Sequence, residues 1–136
     1  MRCLLAFLLF TACATPVETV GGPPEGVANL HLGEQARFGA LTVTPVQVEE
    51  DSRCPASVQC IQAGTVRLSV RILNGRGERT EVLQLDTPRD LGNGSWIALA
   101  AACPYPRVPG PIAGHTYRFM LAVAVGRPPA PLDVAC

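Results

Sequence analysis

The chain has 136 residues, with 11 arginines and no lysine against 11 acidic residues, so its formal net charge is zero. Hydrophobic residues make up 48% and aromatics 5%, with 13 Gly and 13 Pro. That length accommodates one ordinary domain, the apolar fraction excludes a disordered chain, and the balanced charge lacks the basic footprint of nucleic-acid binding.

The first residues, Met1-Arg2-Cys3 followed by Leu4 to Phe10 and Thr11-Ala12-Cys13, place one positive charge before an apolar run and small residues. This is the pattern of a secretory signal, and the run is shorter than the roughly 20 residues of a spanning helix. Phe10-Thr11-Ala12-Cys13 resembles a bacterial lipobox, with Phe10 in place of the usual Leu. The resemblance implies a signal peptide over residues 1–12, lipidation (palmitate among the acyl chains) of Cys13, and membrane attachment by more than one chain. Ala14 after the cysteine implies sorting to the outer membrane in diderm bacteria. The alternative is a periplasmic or secreted protein cleaved near Ala14. Residues 13–29, with Gly21-Gly22-Pro23-Pro24 at their centre, read as a flexible tether, leaving 30–136 as the folded domain.

Strand patterns then follow in chain order. Leu41 to Val48 alternates apolar and polar with a slip at Pro45, which predicts an edge strand or a bulge. Val66 to Ile72 alternates without error, Asn74-Gly75-Arg76-Gly77 gives a turn, and Thr80 to Leu85 returns. A register setting Val70 against Leu83, Leu68 against Leu85 and Arg67 against Asp86 keeps apolar residues together. Ser95 to Ala102 is small or apolar on both faces, as in a strand covered on both sides, with an Ala-rich helix as the alternative, and Trp96 within it reads as core. Tyr117 to Val125 carries its larger residues at odd positions. Six or seven strands with Gly/Pro turns and no βαβ alternation predict an all-β fold, a small antiparallel immunoglobulin-like β-sandwich.

Of six cysteines, signal removal takes Cys3 and lipidation uses Cys13, leaving Cys54, Cys60, Cys103 and Cys136. An even set in an oxidising compartment predicts disulfides, and the short Pro55-to-Gln59 interval favours Cys54–Cys60, with Cys103–Cys136 by elimination. A metal site is the rival, but the first spacing exceeds that of structural zinc sites and only His31 and His115 could assist. No metal and no cofactor are expected.

The stretch Val48 to Gly64, containing Glu50-Asp51-Ser52-Arg53-Cys54-Pro55 and Cys60-Ile61-Gln62-Ala63-Gly64, resembles the signature of a family of small uncharacterised bacterial envelope proteins, many of them lipoproteins. Pro104-Tyr105-Pro106 and the Tyr117 strand are similar to that family too, whereas Gln62 stands where it usually has Trp. The resemblance implies an envelope location and no particular reaction. Read from the residues, Glu49 and Asp51 share one face of an extended strand and Arg53 reaches one of them bidentately. The stapled loop is then either a structural corner or a recognition loop presenting Arg53, Ser57 and Gln59. Catalysis by Ser52 or Ser57 would need His31 or His115 as base, and no Gly-x-Ser-x-Gly elbow supports it; Glu49 and Asp51 as an acid/base pair read better as a solvated strand end. The expectation is a non-enzymatic, lipid-anchored envelope protein with a structural or binding accessory role. Its partners would be the membrane through the lipid and an envelope protein or small ligand, with no nucleic acid. The alternatives are a disulfide-loop ligand-binding or inhibitor module and a small envelope hydrolase.

Overall fold

The computed structural model describes residues 25–136, so the expected signal segment and lipidation site at Cys13 lie outside the described residues. Eight strands follow one another: β1 (Gly26–Leu30), β2 (Ala36–Phe38), β3 (Leu41–Asp51), β4 (Val66–Asn74), β5 (Gly77–Gln84), β6 (Arg89–Asp90), β7 (Ser95–Cys103) and β8 (Arg118–Val125). They form two four-stranded antiparallel sheets, ordered β1-β8-β7-β6 and β2-β3-β4-β5. The only helical turn among the described residues is a 3-10 turn at Gly114–Thr116. The architecture is the all-β sandwich that the alternation implied, built from two meanders with β1 closing beside β8.

The period-two pattern explains the core. Val66, Leu68, Val70 and Ile72 of β4 are fully buried, and face Ile97, Leu99, Phe119, Leu121 and Val123 of the other sheet across one apolar layer. The Ser95 to Ala102 segment is strand, not helix, and its bulge between Leu99 and Ala101 keeps Ala102 facing inward beside Phe119.

Four expectations are corrected. The tether ends earlier than residue 29, because Gly26 to Leu30 pair with Val123 to Phe119; a partner far along the chain, not local composition, makes this strand. The β4–β5 register sets Leu68 against Leu83, Val70 against Glu81 and Arg67 against Gln84. This is two residues away from the expected pairing, and it keeps the same faces inward. The cause is the tight turn: Asn74 pairs with Gly77, Asn74 Oδ1 accepts the Arg76 N–H at 2.9 Å, and Gly77 takes φ 125°. A two-residue connection dictates register more strictly than side-chain matching. Trp96 is half-buried on the outer face of its sheet and outside the inter-sheet core, because Ile97 beside it takes the inward position. Finally, the bulges between Pro45 and Gln47 and between Val48 and Glu50 change which acidic side chains share a face.

The two ends of the sandwich carry different features. The Asn74–Gly77 hairpin, Gly94 and the start of β1 lie at one pole. The 52–65 loop and the 104–117 connection lie at the other.

Candidate functional site: a pinned corner

After the second bulge, Glu50 pairs with Arg67 and points outward with it, and Glu49 accepts a hydrogen bond from the Ser69 hydroxyl on the same outer side. Asp51 pairs with Val66 and turns inward, so Glu49 and Asp51 do not share a face, contrary to the simple alternation. Asp51 instead meets Arg53. Arg53 Nε donates to Asp51 Oδ1 at 2.8 Å and Nη2 to Oδ2 at 2.7 Å, the two-pronged geometry of a strong guanidinium–carboxylate pair. Arg53 also donates to the carbonyls of Ala102 and, at 3.1 Å, Pro104, and its guanidinium lies 5.5 Å from the Tyr105 ring centroid. The Tyr117 hydroxyl donates to Asp51 Oδ2 at 2.7 Å. The pair is nearly dry, with side-chain exposures of 5% for Arg53 and 12% for Asp51.

These contacts tie together three segments distant in sequence: the end of β3, the end of β7 and the start of β8. Burial alone would raise the Asp51 carboxyl. The hydrogen bonds from Arg53 and Tyr117 and the guanidinium charge outweigh it, holding the group below its ordinary range. Tyr117 is pushed up to about 12, first by burial and then by the hydrogen bond to Asp51 and its charge. His31 reaches the same region through a 2.7 Å contact from Nδ1 to the Tyr117 carbonyl.

The motif residues around the pin have separate mechanical tasks. Ser52 N–H donates to the Thr65 carbonyl at 2.9 Å, and the Thr65 N–H returns to Ser52 Oγ at 3.0 Å, closing the loop at its base. Gly64 is required by close approach, since a Cβ there would sit 1.6 Å from the Ser52 carbonyl oxygen. Cys54 and Cys60 are joined with Cα atoms 5.9 Å apart. Ala56 and Ser57 donate their N–H groups to the carbonyls of Pro106 and Arg107, each at 3.0 Å, locking the stapled loop onto the Pro-rich connection. Cys103 and Cys136 form the second disulfide, with Cα atoms 5.4 Å apart.

The structure separates the three residues expected on a recognition loop. Ser57 and Gln59 are exposed, but Arg53 is buried and bonded inward, so it is not presented: the charged knuckle is a structural pin. Sequence reading missed what the corner does present. Val58, Ile61, Tyr105 and Val108 are 42%, 103%, 49% and 67% exposed, all on the two loops that bond each other. Their signal was visible as large apolar residues among loop-forming prolines and glycines; what could not be seen was that Pro106 and Arg107 would bring the two loops together. Gln62 is exposed beside Ile61.

Beside the corner, an open groove of about 650 Å³ runs between β3 and the 106–114 connection, with Val46, Glu49, Pro109 and Ile112 among its walls. Among the described residues no hydrogen bond joins a histidine ring to a serine or a carboxylate side chain, and Ser52 is committed to Thr65. No group of three or more His, Cys, Asp or Glu able to hold a metal occurs among them, and no helix among them is long and apolar enough to cross a membrane. No known protein family, curated protein or solved structure matches the chain.

Proposed function

We propose that this chain is a non-enzymatic binding module of the bacterial envelope, held to a membrane by a lipid on Cys13 and engaging a protein partner through the pinned corner. The observation that carries this reading is the exposed apolar set Val58, Ile61, Tyr105 and Val108 on two loops that a disulfide, two backbone hydrogen bonds and the Arg53 pin hold in place. Large apolar side chains left exposed on adjoining, ordered loops offer a surface for contact. Loops ordered in advance lose little conformational entropy when they bind.

The anchor reading draws on Phe10 to Cys13, and the polarity of the fold supports the pair of assignments together. The chain enters the sandwich at Gly26, beside Val123, at the pole opposite the corner, so a tether running back to a bilayer leaves the corner free. Envelope fractions from cells carrying wild type, Cys13→Ser, and a Val58→Asp/Ile61→Asp double variant test both halves. Cys13→Ser is expected to leave the membrane fraction. The double variant is expected to stay there, with its strand-rich circular dichroism intact, while losing a specific co-purifying protein. An unacylated wild-type mass counts against the anchor, and an unchanged set of bound proteins counts against the corner.

A further inference from the structure

The last ten residues, 127–136, form no strand and no helix, and they make an unusual return. They leave β8 after Gly126, whose N–H donates to the Gly94 carbonyl at 2.7 Å, and end at Cys136, bonded to Cys103 at the far end of β7. Cys103 points away from the core: its neighbour Ala102 packs inward against Phe119, and Cys103 itself pairs with the exposed Arg118. The end of the segment is therefore fastened on the outer side of the β1-β8-β7-β6 sheet. From Val125 back to Arg118 the sheet runs roughly 23 Å at about 3.3 Å per residue. Ten residues held extended by Pro128, Pro129 and Pro131 reach roughly 31 Å, which leaves little slack for a path around the sheet edge.

That outer face is lined with small side chains. Ala98, Ala101 and Ala122 are 6%, 8% and 3% exposed although they point away from the inter-sheet core, and Trp96 and Met120 border them. Pro129 and Val134 of the returning segment are half-buried, as residues lying on a surface are. Residues 127–135 nevertheless make no hydrogen bond or ion pair to another described residue. Beyond the apolar packing of Pro129 and Val134, the Cys103–Cys136 bond is what holds the end of the segment.

We propose that residues 127–136 are a redox-releasable strap: a dithiol reductant opens Cys103–Cys136 and frees the strap, while the sandwich beneath stays folded and its outer apolar strip is uncovered. The step balances as ordinary exchange. A thiolate of the reductant attacks the sulfur of Cys136, an exposed residue, and releases the Cys103 thiolate. The reductant's second thiol then displaces Cys136, so two electrons and two protons end on the two cysteines and the reductant leaves as a disulfide.

The full mature protein carries its own reporters, Trp96 and Met120, on the face in question. Dithiothreitol titration with differential alkylation and peptide mapping gives the state of each disulfide, while Trp96 emission and hydroxyl-radical oxidation of Met120 report the strip. Opening of Cys103–Cys136 is expected to red-shift Trp96 and raise Met120 oxidation several-fold, with the strand signal in far-UV circular dichroism retained. Cys136→Ser, with Cys54–Cys60 intact, is expected to show the opened signature without reductant. Unchanged Trp96 and Met120 in Cys136→Ser would overturn the strap, as would loss of the strand signal when that bond alone is removed. A failure of the corner to bind any partner leaves these readouts untouched.

Discussion

Cys54–Cys60 and Cys103–Cys136 are joined at Cα separations of 5.9 and 5.4 Å, yet the segments that they close are held in different ways. Around the first, Ala56 and Ser57 bond to the Pro-rich connection, Ser52 and Thr65 bond to each other, and Arg53 pins the loop base to β7. Around the second, residues 127–135 make no hydrogen bond to the sandwich, and the disulfide and apolar packing alone hold the strap. On this account ring size alone does not set what a staple contributes. In the chain-entropy account the 33-residue separation should stabilise by about 4 kcal/mol and the six-residue one by about 2. A strap that becomes free in the folded state when cut recovers part of that entropy without unfolding, so the order is expected to reverse.

The largest expected effect breaks the pinned side of the comparison. Arg53→Ala leaves Asp51 buried without its partner and removes a donor from the Ala102 and Pro104 carbonyls. Breaking a nearly dry pair of this kind costs about 3–5 kcal/mol, to be read from urea unfolding midpoints, whereas Arg53→Lys keeps the charge and loses the fork. The same pin sets a pH window. The Asp51 carboxyl is lowered in the folded chain, so its stabilisation is complete above about pH 4 and is lost as the pH falls through the lowered value. The Tyr117 phenol is raised to about 12, so its contribution is complete below about pH 10 and fades as the pH climbs toward 12. Unfolding midpoints followed from pH 7 down to acid are expected to fall less steeply in Asp51→Asn than in wild type.

Next in size is Gly64→Ala. The new Cβ meets the Ser52 carbonyl, which can yield only by opening the Ser52–Thr65 bonds, and a loss of about 2–3 kcal/mol is expected. Smaller again are the staples, where the comparison itself is at stake. Replacing Cys54 and Cys60 together with Ser is expected to cost about 2 kcal/mol, and Cys136→Ser only about 1 kcal/mol. Equilibrium unfolding of both variants in one buffer decides the order. A Cys136→Ser loss near 4 kcal/mol would return the strap to the status of an ordinary structural tie.

Much of this fold was legible because alternation over Val66 to Ile72 and Tyr117 to Val125 reports burial directly, and both segments are core strands. The features that stayed hidden depend on partners remote in sequence. Gly26 to Leu30 is a strand because β8 lies beside it, and Arg53 is a pin because the Ala102 carbonyl arrives from 49 residues away. The bulge at Val48/Glu50 shows a third kind of limit, since one extra residue reassigns Glu49 and Asp51 to opposite faces, and nothing in the residue types announces it. Of the site, the disulfide loop and the Arg–Asp pair could be inferred from spacing. The apolar surface of the corner could not, because it is assembled from two loops joined by backbone hydrogen bonds that no side-chain pattern encodes.

Site-resolved photo-crosslinking in intact cells decides whether a partner sits on the pinned corner. A photoreactive residue at Ile61, on the corner, is compared with one at Arg76, in the hairpin turn at the opposite pole, both exposed and in the full-length chain. The expected result is a discrete protein adduct from position 61 that is absent from position 76 and is diminished when Val58 is changed to Asp. The same adducts from both positions, or none from position 61 under conditions where position 76 reacts, would contradict a partner seated on the pinned corner.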